Sequence, residues 1–285
     1  MVSKLKLRSR KQWLGVLFVF PWIAGFLIFT LYPLVTTIIY SFSTVRFKLE
    51  GVSITYENVK NFTDVLFKDP EFKLALPKYL VQIFYFVPMV LVFSILLSLL
   101  LNNNLKGRSF FRALFFLPVI IISGPVVENL QTMGAASLQG LGSFPVYRFI
   151  HESIPDFIAA PVLYVFDNAI MILWYTGVQT LIFLSAMQKI DRSIYEASMV
   201  DGASSWQLFW KIIIPTIKPF IFLNSIYTIV DVSMSTMNPI IIEIKNAMFN
   251  IKKGFGFAAA ASWIYFFIIL LTVLISYFLF GRERK

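Results

Sequence analysis

Three side chains at helical spacing, inside an otherwise apolar stretch, are the candidates for ligand chemistry in this sequence. They are Asn224, Tyr227 and Asp231, and the hydroxyl-bearing residues around Asp231 are Thr228, Ser233, Ser235 and Thr236. A carboxylate inside an apolar helix costs free energy unless it faces a cavity, a partner or water. Asp231 could therefore hydrogen-bond a hydroxylated ligand, pair with another subunit, or lie near a hydrated helix end. Asn224 could face the same cavity or bond a neighbouring helix.

Residues that other kinds of site require are missing from the sequence. The chain has no cysteine and a single histidine, His151, beside Glu152. This excludes thiol nucleophiles, disulfides and multi-histidine metal sites. No glycine-rich phosphate loop occurs, so we do not expect this chain to hydrolyse ATP. No paired carboxylates or nucleophile–base set stands out. We therefore predict no catalytic residue, no metal site and no bound cofactor.

Long apolar runs must position the candidate residues. Hydrophobic residues make up 58% of the 285 and charged residues 14%, whereas soluble domains are nearer half apolar and a quarter charged. A membrane-spanning helix needs about 20 apolar residues. Six runs qualify: residues 13–40, 79–101, 110–127, 168–187, 216–237 and 258–280. The first is too long for a signal peptide. The sequence predicts an all-α polytopic membrane protein with six spans in one transmembrane domain, residues 1–285.

The distribution of basic residues predicts the topology. The net charge is +10, but the basic residues lie between apolar runs and not on one soluble face, so we do not expect nucleic-acid binding. Of the 25 Lys and Arg, 15 fall in the N-terminal segment, residues 102–112, residues 189–218 and the C-terminal tail, with only 4 of the 15 acidic residues. The positive-inside rule places both termini in the cytoplasm. We expect a multi-pass protein of a bacterial inner membrane.

The connections on the opposite side differ in character. Residues 45–78 are polar, with Asp64 and the pair Asp69-Pro70 as turn or helix-start signals. Residues 128–166 are richer in Gly and Pro but contain apolar pieces, so we expect short surface helices there. Glu128 and Asp167 stand at the ends of spans, where we expect interfacial positions.

The connection at about 189–215 is unusual because it predicts two short helices in place of a simple turn. Asp191 or Ser193 can begin the first helix, since either side chain can accept hydrogen bonds from free amides at the helix start. Gly202 can end it, because a left-handed backbone costs glycine little.

A second helix can follow at once. It can begin at Ser204 or Ser205. Three bulky residues that fall three or four apart, Trp206, Phe209 and Trp210, give it an aromatic face. Pro215 then marks the return of the chain to the membrane.

The spacing within this segment resembles that of a known family. The relevant residues are Glu196, Ala197, Ser198, Gly202, Ile212, Ile214 and Pro215. Permease subunits of binding-protein-dependent ABC importers carry a cytoplasmic loop with Glu-Ala-Ala, three residues, Gly, nine residues, Ile, one residue and Leu-Pro. Ser198 replaces the second Ala and Ile214 replaces the Leu, and both changes are mild. The resemblance implies the type I ABC importer permease fold.

The resemblance also implies how this segment works. It would dock in a cleft of a cytoplasmic ATPase subunit, which binds the ATP and Mg, so that closure of two such subunits drives the permease between inward-open and outward-open states. The implied coupling residues are Glu196, Ala197, Asp201, Gly202, Trp206, Ile212 and Pro215. Glu196 would pair with a basic group of the ATPase or brace the loop itself.

Other stretches are similar to the sugar-importing branch of the same family. They are residues 69–72, 106–118, 174–188 and the pair Asn238-Pro239. The Gly-Gly-Pro of many maltose-type relatives is missing, so maltose-contacting positions are not transferred. The branch implies import of sugars or oligosaccharides, acidic ones included. The implied partners are a second, homologous permease in a heterodimer, two ATPase subunits, an extracytoplasmic binding protein and membrane lipid.

A membrane channel or an intramembrane enzyme is the alternative outside this family. It would need a polar pore lining or catalytic carboxylates, and it would leave the segment from Glu196 to Pro215 without a role. Retention of an ATPase during purification would separate the two hypotheses.

Overall fold

The computed structural model describes residues 15–48, 51–102 and 144–281. The chain divides into two compact units. Unit 1 comprises Met1–Lys73 and Glu243–Phe266, and unit 2 comprises Leu74–Ile242 and Phe267–Lys285.

Helices dominate the described residues. Those of the first half are α1 (Gly15–Ser41), α2 (Lys60–Thr63) and α3 (Pro70–Asn102). Those of the second half are α4 (Pro145–Ser153), α5 (Asp156–Asp167), α6 (Ala169–Met187), α7 (Arg192–Val200), α8 (Ser205–Leu208), α9 (Ile214–Met234), α10 (Pro239–Phe249) and α11 (Gly254–Ser276). Short π-helical turns continue α2 to Lys68 and α11 to Gly281.

Five stretches of helix are long and apolar enough to cross a membrane. They are Gly15–Ser41, Pro70–Asn102, Ala169–Met187, Ser205–Phe249 and Gly254–Gly281. They confirm five of the six predicted runs as apolar helices. The predicted run 110–127 lies outside the described residues, as do Glu128 and the similar stretch at 106–118. The short helices predicted between 128 and 166 are confirmed from Pro145 onward by α4 and α5.

The helix α3 begins nine residues before the predicted run at 79. Asp69 accepts a hydrogen bond from the backbone N–H of Phe72 (2.9 Å) and so caps the helix, while Pro70 occupies its first position. Proline lacks the N–H that would be unpaired there, so it suits a helix start. The cap therefore extends the helix through polar residues that hydropathy alone excludes.

A β-hairpin in unit 1 was not predicted. Strands β1 (Ser43–Lys48) and β2 (Gly51–Tyr56) pair antiparallel, with Val45 opposite Ile54. An isolated two-stranded hairpin is marginally stable in water. This one is fixed along β1, because the amide of Asn61 donates to the carbonyls of Ser41 and Ser43 at 3.1 and 3.0 Å.

The start of α11 approaches the same strand closely. Gly254 has φ +71° and lies against the carbonyl of Val45. A Cβ added at Gly256 would lie 2.0 Å from the carbonyl oxygen of Ser43, so only glycine allows the backbones to meet there. The hairpin, the C-terminal end of α1 and the N-terminal start of α11 therefore lie together at one end of unit 1.

Three carboxylates converge on one ammonium group at this end of unit 1. The Nζ of Lys253 lies 2.7 Å from Asp69, 2.6 Å from Glu71 and 2.7 Å from Glu243. Burial by itself lowers the pKa of Lys253, but the hydrogen bonds to these carboxylates outweigh it and raise that pKa above its ordinary value. This ion cluster joins the start of α3 to the turn between α10 and α11.

In unit 2, α9 makes buried hydrogen bonds to three other helices. The hydroxyl of Ser233 bonds that of Tyr79 on α3 (2.7 Å), and the hydroxyl of Ser225 bonds that of Ser276 on α11 (2.5 Å). Gln179 on α6 donates its amide to the hydroxyl of Thr228 (3.0 Å). Polar side chains of this kind hold helices together where the hydrophobic effect cannot, because lipid is as apolar as the helices.

The helix α9 ends three residues before the predicted run at 216–237 does, and α10 follows it. Asn238 is buried between the two helices; its side-chain oxygen accepts from the N–H of Ile240 (2.9 Å) and its amide reaches the carbonyl of Ser233 (3.4 Å). Pro239 stands at the start of α10. The Asn-Pro pair therefore closes one helix and opens the next.

Candidate functional site

Residues 189–215, named the coupling segment after the role that the sequence resemblance implies, fold into the two predicted short helices. Asp191 caps α7, because its carboxylate accepts from the backbone N–H of Ser193 (3.0 Å), and this hydrogen bond lowers the pKa of the carboxyl. The helix ends at Val200, and Gly202 follows with φ +77°. Both predicted signals for the first helix are confirmed.

The second helix starts at a reciprocal cap. The hydroxyl of Ser204 accepts from the backbone N–H of Gln207 (3.3 Å), and the side-chain oxygen of Gln207 accepts from the backbone N–H of Ser204 (2.9 Å). This capping box satisfies two amides that a helix start leaves unpaired. The prediction of a start at Ser204 or Ser205 is thereby resolved, with Ser204 as the cap.

From this cap the chain remains helical into the membrane. The helix α8 passes into a π-helical turn at Phe209–Ile213 and then into α9. Pro215 stands within the first positions of α9 and does not interrupt the helix. The coupling segment is therefore joined to Tyr227 and Asp231 by one continuous helical path.

An aromatic cluster covers one side of α8 and its π-helical turn. Trp206 packs edge-to-face on Trp210 (centroids 5.5 Å apart), and Phe209 contacts both rings. Trp206 remains 69% exposed and Trp210 50% exposed. Because indole rings are typical of protein and membrane interfaces, the cluster is a candidate contact surface.

Apolar side chains of α7 extend the exposed surface. Met199 is 63% and Val200 87% exposed at the end of the helix. Glu196 forms an ion pair with Arg192, one turn earlier (3.2 Å), and both side chains face solvent. Glu196 therefore pairs within α7, and its carboxylate remains accessible to a second cation. Ala197 stands one residue further along the same helix.

A polar cleft of about 310 Å³ lies between the turn that follows α7 and the segment formed by α8 and its π-helical turn. Its lining residues are Asp201, Gly202, Ala203, Gln207, Leu208, Lys211 and Ile212. The lining includes one acidic residue, Asp201, one basic residue, Lys211, and Gly202 with its positive φ. The cleft brings Asp201, Gly202 and Ile212 together, three of the residues that the sequence assigned to coupling.

Asn224 lies in the seam between α6 and α9. Its side chain is fully buried, and its amide reaches the carbonyl of Gln179 at 3.5 Å. Of the two roles that the sequence left open, this contact corresponds to bonding a neighbouring helix. Among the described residues, the side-chain oxygens of Asn224 and Gln179 have no hydrogen-bond partner.

Tyr227 and Asp231 lie four residues apart on the accessible face of α9. Tyr227 is 41% exposed, and Asp231 is also exposed. Asp231 interacts electrostatically with the hydroxyls of Tyr227 and of Tyr175 on α6, and Tyr175 also hydrogen-bonds Ser235. The ring of Tyr175 packs edge-to-face on Phe86 of α3 (5.3 Å). The helices α6 and α9 thus bring two tyrosine hydroxyls toward one carboxylate, and α3 packs on Tyr175 through Phe86.

Tyr175 is the residue of this group that sequence reasoning missed. It stands beside Trp174 in an apolar run. Many aromatic residues in such runs face lipid, so a tyrosine there does not by itself indicate a binding residue. Tyr175 is also far from Asp231 along the chain. Their contact depends on how α6 packs on α9, so the sequence does not predict it.

Comparison with known proteins identifies the family. The family described as "Binding-protein-dependent transport system inner membrane component" matches residues 76–282. The lactose transport system permease protein LacF of Rhizobium radiobacter is 30% identical over 95% of both chains. The trehalose/maltose transport system permease protein MalF of Thermococcus litoralis is 27% identical, covering 100% of this chain and 98% of that protein.

Solved structures share the fold. A chain of a bacterial ABC transporter involved in the import of the acidic polysaccharide alginate aligns over 99% of this chain and 100% of its own length, with a TM-score of 0.67 and 20% identity. A chain of a bacterial alginate ABC transporter in complex with an alginate pentasaccharide-bound periplasmic protein aligns with a TM-score of 0.65, covering 96% of both chains. This chain therefore belongs to the inner membrane components of binding-protein-dependent transport systems, as a permease of an ABC importer.

Proposed function

We propose that this chain is one permease subunit of an ATP-driven importer for sugars or oligosaccharides, acting with a second, homologous permease, two ATPase subunits and an extracytoplasmic binding protein. The observation that carries the proposal is the coupling segment: two capped short helices with exposed apolar and aromatic side chains, the second of which continues into a membrane helix. Membership of the family supports the energy source, because these transport systems are ABC importers.

The coupling mechanism follows from this geometry. An ATPase cleft receives α7 and the start of α8, with Met199 and Trp206 as apolar contacts and Glu196 as the polar one. Movement of the ATPase tilts the two helices as one body, since Gly202 and the capping box fix the angle between them. The continuous helix then carries the movement to α9.

The substrate pathway of the proposal lies along the accessible face of α9. Tyr227 and Asp231 offer a ring, a hydroxyl and a carboxylate, which are the groups that bind the faces and hydroxyls of sugars. Asn224 supports this face from the seam with α6. The names of the relatives, which transport lactose or trehalose and maltose, favour a saccharide as cargo. The alginate transporters extend the candidates to acidic oligosaccharides.

Purification under mild detergent tests the importer assignment. A tagged chain, expressed with the neighbouring genes of its own operon, should retain an ATPase subunit and a second permease. A chain that never retains an ATPase would contradict the proposal and favour a channel. Uptake into vesicles loaded with ATP, with the cognate binding protein outside, then tests the cargo. We expect import from a panel of neutral disaccharides and acidic oligosaccharides. Import of neither class, by a complex that hydrolyses ATP, would overturn the saccharide assignment alone.

A further inference from the structure

Two of the carboxylates around Lys253 also contact each other. The side chains of Glu71 and Glu243 hydrogen-bond one another, and each pairs with the Nζ of Lys253, at 2.6 and 2.7 Å. One oxygen from each of them lies within 4.8 Å of an oxygen of Asp69. An ionised carboxylate only accepts hydrogen bonds, whereas a protonated one also donates. A hydrogen bond between Glu71 and Glu243 therefore requires a proton on one of the two.

The charges of this ion cluster also favour a bound proton. With every group ionised, three negative charges face the single positive charge of Lys253. The side chains of Asp69 and Glu243 are 6% and 10% exposed, so little water screens the charge left over. A like charge in contact disfavours the ionised form of a carboxyl group. One proton removes one excess charge and replaces repulsion between Glu71 and Glu243 by a hydrogen bond.

Among the side chains that the structure describes, no second lysine or arginine makes an ion pair with this cluster. The other charged groups of this end of unit 1 are engaged elsewhere or exposed. They are Lys68, which pairs with Asp64; Lys60 and Arg46, which act on Glu57; Lys73, which donates to the carbonyl of Phe67; and Lys245 and Lys252, which are exposed. The side chain of Glu71 is 62% exposed, so a proton can reach the pair from water.

The pair connects elements that meet at one end of unit 1. Glu71 lies in the first turn of α3, Glu243 lies on α10, and Lys253 directly precedes α11. The start of α11 also lies against the hairpin at Val45. We propose that Glu71 and Glu243 share one proton, and that this proton holds the start of α3 against α10 at the end of unit 1 that faces outward in the predicted topology.

The shared proton makes this end of unit 1 sensitive to the external pH. Separation of the two side chains releases the proton, so separation becomes more favourable as the pH rises. While the closed pair still holds the proton, the equilibrium constant for opening rises by up to about tenfold per pH unit. This property depends neither on the cargo nor on the ATPase, so it can be tested without transport.

Infrared spectroscopy of the purified full chain tests for the proton itself. In a detergent without ester groups, the C=O stretch of a protonated carboxyl group is separate from that of carboxylates and shifts in D2O. We expect more of this absorbance at neutral pH in the unmodified protein than in Glu243→Gln. The variant keeps the shape of the side chain and a donor toward Glu71, but it cannot hold the proton. The difference should correspond to one carboxyl group per chain, and equal absorbance would overturn the proposal.

Hydrogen exchange tests the effect of the proton on the fold. The measured regions are the start of α3 and the turn between α10 and α11. At each pH, the exchange rate of the unmodified protein is divided by that of Glu243→Gln, so that the intrinsic pH dependence of exchange cancels. We expect this ratio to rise with pH, by up to about tenfold per unit. A merely structural effect of the substitution would give the same ratio at every pH and would overturn the proposal.

Two further variants complete the experiment. Glu152→Gln removes an exposed carboxyl group of α4, outside the cluster, and should exchange like the unmodified protein at every pH. If Glu243→Gln does not insert into the membrane, Glu71→Gln removes the same pair from its exposed side. Three carboxylates can also attract a divalent metal ion. A pH dependence that a chelator abolishes would assign the cluster to such an ion and overturn the proposal.

Discussion

Gly202 combines an unusual backbone with open surroundings. Its φ of +77° is a conformation that L-residues adopt at a cost of about 1–2 kcal/mol. Nothing lies within 4 Å of a Cβ built at this position. Within this chain a side chain at Gly202 therefore acts through the backbone and not through a clash, so the position tests the angle between α7 and α8.

Replacing Gly202 by valine should abolish uptake while leaving membrane insertion intact, because a β-branched residue resists the left-handed backbone and changes that angle. Gly202→Asn is the matched control, since asparagine tolerates this conformation best among the other residues. We expect it to keep most of the uptake. The measurement is saccharide uptake normalised to inserted protein. Full uptake by the valine variant would contradict the coupling role of this residue.

For some residues of the candidate site, residue type and spacing predict the structural role. For others, the role depends on how the helices pack. The caps were narrowed to Asp191 or Ser193 and to Ser204 or Ser205, and Gly202 was predicted as the helix end, because the effects of these residues are local. The orientation of Asn224 toward α6 was left open, since a spacing within one helix does not say which face meets a neighbour.

At the scale of elements, α8 matters because it is short and yet joined to a long helix. Its four residues cannot form a stable helix alone, since a first helical turn costs more than it returns. The capping box at one end and α9 at the other therefore maintain it. Loss of the cap should let this end fray and weaken the link between the ATPase and the membrane.

Ser204→Ala removes the side-chain acceptor and should cost about 1 kcal/mol of local helix stability. We expect faster hydrogen exchange at the amides of Gln207 and Leu208, by roughly fivefold for that free energy, together with reduced uptake. Ser205→Ala changes the adjacent serine, which is not the cap, and should leave both quantities near those of the unmodified protein. Equal exchange in the two variants would show that the cap does not hold α8.

Elements with sustained hydropathy were predictable, and those set by single contacts were not. The spans follow from apolar length. The start of α3 depends on one cap at Asp69, and the division between α9 and α10 depends on Asn238. The hairpin at 43–56 alternates weakly in sequence, with Val45, Ile54 and Tyr56 on one side. The hydrogen bond from Asn61 and the close approach of Gly256 hold it in place. A local sequence pattern does not predict either contact.

At the scale of the whole molecule, topology decides what each described surface can meet. The coupling segment and the hairpin must lie on opposite sides of the membrane for the proposed mechanism to work. The sequence predicts this from the distribution of Lys and Arg. Because the chain contains no cysteine, single introduced thiols can report on each side without background.

Thr55→Cys, exposed on β2, should react with a membrane-impermeant maleimide in intact spheroplasts. Ser205→Cys, exposed at the start of α8, should react only after the membrane is permeabilised. The cysteine-free chain serves as the blank. The reverse pattern would invert the topology, and labelling of both in intact spheroplasts would remove the coupling segment from the cytoplasm.

The ion cluster around Lys253 also bears on the order in which the protein is made. Lys253 and Glu71 are 182 residues apart. At about 5–20 residues per second, a ribosome needs roughly 9–36 s to travel between them. During that interval the ammonium group of Lys253 has not been made. Asp69, whose carboxylate is buried in the folded protein, and Glu71 therefore lack this counter-ion. The start of α3 therefore acquires the ammonium group that joins its carboxylates to Glu243 only when synthesis has reached the start of α11, so this contact forms late however early α3 itself becomes helical.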